Sequence, residues 1–176
     1  MVKQLGDRFK AQPAEIVERV SALQDELKGT QKALAAAREQ LALAKAEALA
    51  AQAVAMGSTP AGSPFQLLVA RLDGVEGAGL QSAAQGLADQ LGDGAAVVLG
   101  GLPDPADLGK VILVAAFGPA VIAAGQQAGK FIGGVAKACG GGRPNLAQAG
   151  GRDGAALDQA LEQARSALVA EISGRY

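Results

Sequence analysis

Apolar residues in the first third of the chain recur in alternating steps of four and three. Ile16, Val20, Leu23, Leu27, Thr30, Leu34, Ala37, Leu41, Ala44 and Ala48 form one such seam. This is a heptad pattern sustained over roughly four to five heptads. Between seam positions stand mostly Ala, Glu, Gln and Lys, all strong helix formers, and Gly29-Thr30 is the only interruption. Pro13 suits the first turn of a helix, and Glu15 and Glu18 lie where the helix dipole favours negative charge. The pattern predicts a helix to about Ala55, roughly 60 Å long at 1.5 Å per residue. Leucine gives way to alanine toward its C-terminal end, which lets a partner helix approach more closely there. Two explanations fit the seam. One is a coiled-coil arm that dimerises or spaces domains, the other a single amphipathic helix laid on a neighbouring domain.

The pattern changes at MGSTPAGSP, Met56 to Pro64, a linker by its prolines and glycines. The expected organisation is a helical arm over 1–56, a linker over 57–64 and a globular domain over 65–176. Phe65 to Leu72 is β-rich enough for a strand. Gly77 to Leu91 has Leu80, Leu87 and Leu91 on one helical face beside Ala83 and Ala84. Ala95 to Gly100 and Lys110 to Phe117 are continuous apolar runs, expected as strands buried on both faces. Asp104 and Asp107, in the loop between them, lack a third acidic ligand and read as a solvated turn rather than a metal site. Pro119 to Ala138 predicts one helix with Val121, Ala124, Ala128, Phe131, Val135 and Ala138 inward. Gln126, Gln127, Lys130, Gly134 and Lys137 then share an outer arc of roughly 100°. Gly133-Gly134 would weaken that helix, which suggests a close backbone contact. A last helix starts after Asp153-Gly154 with Leu157, Leu161, Ala164 and Leu168 as its stripe. The fold class expected is α+β: a long N-terminal coiled-coil-type helix, then a small domain with a mixed sheet packed against helices.

One stretch does not fit an ordinary core. Gly140 to Gly151 reads GGGRPNLAQAGG. Consecutive glycines hold regular structure poorly, so the expectation is either a plain connecting loop or one that offers backbone N–H groups and arginines to an anion or a base edge.

Composition narrows the chemistry. The 176 residues include no histidine and one cysteine, Cys139. Zinc hydrolysis, Ser-His-Asp triads and Cys-His dyads are therefore excluded within these residues. A single cysteine fits a reducing cytosol and is more often a small buried residue than a reactive thiol. Val2 to Lys10 contains no apolar signal core, and Val111 to Ala124 is too short to span a bilayer. Net charge is −1, which by itself predicts no nucleic-acid binding. Distribution says more. From Asp107 to Asp153 there is no acid between the two, while Lys110, Lys130, Lys137, Arg143 and Arg152 all fall in that span. Such a stretch forms a local anion-binding face if its cations share one side. With aromatics at 3%, stacking platforms for loose strands are scarce, and recognition of folded RNA by backbone and shape fits better.

The run CGGGRPNLAQAGGRD, Cys139 to Asp153, together with GQQAGKFIGGVAKACGGG before it, resembles the signature of the C-terminal domain of alanyl-tRNA synthetases, the DHH-associated domain. The likeness covers nearly the whole chain, heptad helix included. It implies a tRNA-binding domain that meets the outer corner of tRNA, where the D and T loops join. It also implies a link between aminoacylation and editing modules, and dimerisation through the helix. tRNA, tRNA(Ala) in particular, is the implied partner and the cytoplasm the implied location. Under this resemblance Lys130, Lys137, Arg143 and Arg152 are candidate phosphate contacts. Gly140, Gly141 and Gly142 form the loop, and Asn145 and Gln148 are candidate base or ribose contacts. ATP, magnesium and zinc would belong to catalytic and editing domains that have no counterpart in these residues, so no cofactor and no catalysis are expected here. A purely structural coiled-coil spacer is the alternative. The accessory domain of DHH phosphoesterases is a weaker one, since Arg143 stands where those proteins carry a histidine and the DHH acid cluster is missing.

Overall fold

A computed structural model of the chain describes residues 15–59, 62, 64–136 and 141–173. The first element is helix α1 (Ile16–Ala50). A division between two compact units falls inside it, the second unit beginning at Arg38. Before that division the apolar positions stand open: Val17, Val20, Leu23, Leu27 and Leu34 are all exposed. After it, Ala42 and Ala46 are buried in the core of the second unit, with Leu49 and Ala50 partly buried beside them. The buried face is thus not the heptad seam, whose Leu41 stays 54% exposed. Small alanines one turn apart let the helix backbone approach closely; the seam remains free alongside.

The second unit is built on a six-stranded mixed sheet of order β1-β2-β3-β4-β6-β5. Its strands are β1 (Val54–Met56), β2 (Phe65–Arg71), β3 (Ala95–Gly101), β4 (Val111–Phe117), β5 (Gly141–Gly142) and β6 (Leu146–Gly151). Strands β2 and β3 run parallel, joined through helix α2 (Gly77–Leu91), and every other neighbouring pair is antiparallel. Parallel neighbours need such a crossover because a tight turn reverses direction. All seven residues of β3 and all seven of β4 are buried, as their unbroken apolar runs require.

Alternation along the strands divides the core in two. Leu68, Val97, Leu99 and Val114 pack with Leu80, Ala83, Ala84 and Leu87 of α2. Leu67, Val98, Leu113 and Ala115 face the other way, toward helices α4 (Ala128–Ala136) and α5 (Leu157–Ser173). Phe117 and Phe131 meet there with ring centroids 5.7 Å apart at 59°, a tilted geometry that suits aromatic quadrupoles.

Three expectations change. The helical arm was expected to run to 56, but α1 stops at Ala50 and Val54–Met56 pairs with β2, Val54 opposite Leu67. The free edge of β2 outweighs the helix propensity of the local sequence. The single helix over Pro119–Ala138 is two: α3 (Pro119–Ala123) and α4. Gly125, at φ 91°, donates to the carbonyl of Ile122, and Gln126 donates to that of Val121. Those two bonds form a Schellman cap, which needs the left-handed conformation that glycine takes at no steric cost. Gln126 and Gln127 therefore lie outside the helix. Gly140–Gly151 is also no plain loop, because Gly141–Gly142 and Leu146–Gly151 both join the sheet.

Glycine substitutions test the packing. A Cβ on Gly118 would overlap the backbone carbonyl of Asp93, whereas one on Gly134 would meet nothing within 4 Å. Gly134 therefore makes no close contact with a packed element of the fold. Gly118→Ala should cost about 1–3 kcal/mol through forced backbone movement. Gly134→Ala should gain about 1 kcal/mol from helix propensity. Urea unfolding of both variants reads the two signs side by side.

Candidate nucleic-acid interface

Strand β6 organises the predicted residues. It lies antiparallel on β4 with Ala116 opposite Leu146 and Val111 opposite Gly151. Ala147 and Ala149 point into the core beneath α4. Alternation sends Gln148 to the opposite face, where its Oε1 accepts a 2.7 Å hydrogen bond from Gln81 Nε2 of α2. Gln148 is half-buried in this pair, a position fitted less to reading bases than to holding α2 against the sheet edge.

At one end of β6 the chain turns back to β5. The Arg143 N–H donates to Leu146 O at 2.9 Å, closing a two-residue loop of Pro144 and Asn145. Both carbonyls of that loop are held from behind: Ala128 N–H donates to Pro144 O and Phe117 N–H to Asn145 O, each at 2.9 Å. The turn is thereby tied to the start of α4 and the end of β4, while the side chains of Arg143 and Asn145 remain exposed. Lys130, two residues past Ala128, is exposed in the first turn of α4. The hairpin therefore presents Arg143 and Asn145 at one backbone-anchored corner, and the helix tied to that corner through Ala128 carries the exposed Lys130. Gly141 and Gly142 are its edge strand; Lys137, Cys139 and Gly140 lie outside the described residues.

Arg152 is exposed at the other end of β6. Six residues in a strand span about 17 Å at roughly 3.3 Å per step, so Arg152 cannot join the Arg143 corner. It stands instead beside Lys110, because Val111 faces Gly151 and the next residues out are Lys110 and Arg152. Lys110 was counted among the cations but not singled out as a contact. Its place becomes legible only when the register of the apolar run after it is set against LAQAGG.

The pairing of charges separates these cations from the described arginines elsewhere in the second unit. Arg71 Nε binds Asp73 at 2.8 Å, and its Nη1 binds both oxygens of Asp158 at 2.8 and 2.9 Å. The hydrogen bonds it donates to Asp158, then to Asp73, hold the Arg71 guanidinium above its ordinary pKa. Arg38 binds Glu76 at 3.1 Å. Arg165 donates to Val69 O at 3.0 Å and lies 3.7 Å from Glu162. Among the described residues, Lys110, Lys130, Arg143 and Arg152 take part in no such pair. The acid-free stretch has become a set of uncompensated positive charges at the β6–β5 edge and its two ends.

A boundary to this face is visible as well. Asn145 also borders a cleft of about 630 Å³ whose floor includes Ala116, Phe117, Ile122 and Leu146 and whose polar rim includes Asp89 and Asp93. Carboxylates there disfavour a polyanion on the α2 side of the hairpin. Asp104 and Asp107 close local turns, accepting from the N–H groups of Ala106 and Gly109 at 2.9 Å each. No cluster of three metal-ligating side chains occurs among the described residues. Nor is any described helix long and apolar enough to cross a membrane.

Fold and edge together define an α+β domain with a layered core and a localised, uncompensated cationic edge. Comparison with known proteins makes this particular. The chain is 75% identical over 171 residues to the alanine–tRNA ligase of Synechococcus sp. strain WH7803, a match covering 96% of the chain and 18% of that ligase. It is 74% identical over 171 residues to the ligase of Prochlorococcus marinus strain MIT 9303, with the same shares. The chain thus belongs with the alanine–tRNA ligases, as one segment spanning about a fifth of their length. No family profile matches it. A solved structure, the C-Ala domain of Aquifex aeolicus alanyl-tRNA synthetase, aligns at a TM-score of 0.46 and 23% identity, over 68% of this chain and 98% of that one.

The division between paired and unpaired arginines is open to measurement. Arg71→Ala should change stability by no more than about 1 kcal/mol, the range of exposed ion pairs. It should leave polyanion binding unaltered, since Arg71 is already neutralised; affinity for heparin in low salt is a direct readout.

Proposed function

We propose that the chain is the tRNA-binding C-terminal domain of an alanine–tRNA ligase, gripping folded tRNA by its phosphates at the outer corner where the D and T loops meet. The observation that carries this is the charge pairing. Every described cation singled out within the acid-free stretch is free of acidic partners, while the described arginines elsewhere in the domain are tied. Lys130 and Arg143 are phosphate contacts at and beside the hairpin corner, and Lys137, outside the described residues, is a further candidate from the sequence. Asn145, rigidly presented by the two backbone bonds behind its turn, is the contact to a base or ribose edge. The scarcity of aromatic rings favours a folded surface over a loose strand. The domain's task is to bind and to hold the aminoacylation and editing modules on one tRNA in the cytoplasm. ATP, magnesium and zinc belong to the remaining four fifths of the ligase.

Arg143→Ala and Lys130→Ala should each weaken binding of folded tRNA(Ala). Each should also flatten the log–log salt dependence by about 0.7–0.9, the contribution of one phosphate. Anisotropy titrations at two salt concentrations, with an unrelated tRNA and a single-stranded RNA as comparisons, measure both quantities. Unchanged affinity in both variants removes the hairpin corner from the interface; equal affinity for the single strand removes shape recognition.

A second role is favoured by α1. Its seam residues Val20, Leu23, Leu27, Leu34 and Leu41 are 36%, 48%, 57%, 51% and 54% exposed in the single chain. A heptad stripe left open in this way suits a homodimeric coiled coil. Replacing Leu27 and Leu34 by glutamate should convert a sedimenting dimer to monomer and leave tRNA affinity per chain within about threefold, a loss below 1 kcal/mol. A wild-type chain that sediments as a monomer at all concentrations rules the dimer out.

A further inference from the structure

Lys110 and Arg152 stand just past the ends of the paired strands, next to Val111 and Gly151, which face each other across β4 and β6. Neither has an acidic partner among the described residues. Both line an open cleft of about 520 Å³, together with Gly109, Gly150 and Gly151, which place backbone rather than side chain along the wall. Gln148 lines it too. Because its Oε1 is taken by Gln81, its Nε2 is left as the donor, positioned beside Gly77, where a Cβ would collide with it. The one acid in the lining, Glu76, is bound by Arg38 at 3.1 Å. Asp107 and Asp153 flank the cleft in sequence without lining it, each with one oxygen engaged by local N–H groups at 2.9 and 3.0 Å.

We propose that this cleft is an oxyanion site for a phosphate group. Lys110 and Arg152 supply the charge, and the Gln148 amide supplies a directed donor. Bound phosphate gains a charge-assisted hydrogen bond from each cation. Its source is a phosphodiester of RNA or a free phosphate monoester. The phosphodiester source rests on the tRNA reading above; the oxyanion site does not. This is a second anchoring point, at the far end of β6 from the Arg143 corner, and it gives the half-buried Gln148 a role other than base reading.

The test titrates the whole ¹⁵N-labelled chain with inorganic phosphate, chloride keeping the ionic strength constant. The backbone amides of Gly109, Lys110, Gly151 and Arg152 and the side-chain amide of Gln148 should shift saturably. Lys110→Gln and Arg152→Gln should each weaken phosphate by about tenfold, while Lys110→Arg retains it. Shifts equal to those in chloride alone, or variants that bind phosphate as the wild type does, overturn the site. Folded tRNA is then titrated against the same variants. A parallel loss of affinity, with a shallower salt slope, assigns a phosphodiester. Phosphate lost with tRNA affinity unchanged assigns a free monoester. Phosphate binding by a chain that takes up no tRNA sustains this site while ending the tRNA proposal.

Discussion

The antiparallel seating of β6 on β4 is the constraint on which the rest depends. β4 is buried along its whole length and would otherwise leave a row of backbone groups unpaired inside the domain. The partner it takes is a strand of small residues, LAQAGG. Ala147 and Ala149 are slight enough for α4 to close over them. The same register turns Gln148 to α2, leaves Arg152 beside Lys110 and puts the Pro144–Asn145 turn at the opposite end. One pairing thus sets both the packing of this edge and the separation of its cations into two groups.

Small side chains recur wherever elements come close. Ala42 and Ala46 seat the end of α1, and Ala83 and Ala84 seat α2. With so few aromatic rings, the domain cannot gain burial from large payloads. It gains it from short distances between backbones, which keep an aliphatic interior close-packed. Glycine serves the same end at Gly118, where Asp93's carbonyl occupies the space of a side chain. Close packing of this kind tolerates added volume poorly.

The anion-binding edge follows from what the core leaves over. Acids elsewhere in the domain are committed: Asp73 and Asp158 to Arg71, Glu76 to Arg38, Asp153 to the N–H groups opening α5. Among the described residues none forms an ion pair with a cation of the acid-free stretch. The two groups of cations stand about a strand's length apart, at opposite ends of β6. Exposed charges of this sort contribute little to folding, which is why their arrangement can answer to a ligand instead.

The sequence by itself determined the elements with the strongest periodicity. Gly77–Leu91, the doubly buried runs of β3 and β4, and the closing helix all follow from spacing that only one local structure satisfies. The lack of histidine and the clustering of five cations in an acid-free span are likewise facts of sequence, and they limited the chemistry before any coordinates were drawn. Tertiary structure decided what lies at element ends and across strands. Val54–Met56 became a strand because β2 had an open edge, and Gly125 ended α3 through hydrogen bonds that a helical wheel does not contain. The face by which α1 docks was settled by the surface it met, so Ala42 and Ala46 were buried in place of the leucine seam. Lys110 and Arg152, forty-two positions apart in the chain, became neighbours through a register that no local pattern encodes, since strand pairing is set by the partner available and by which face must be buried.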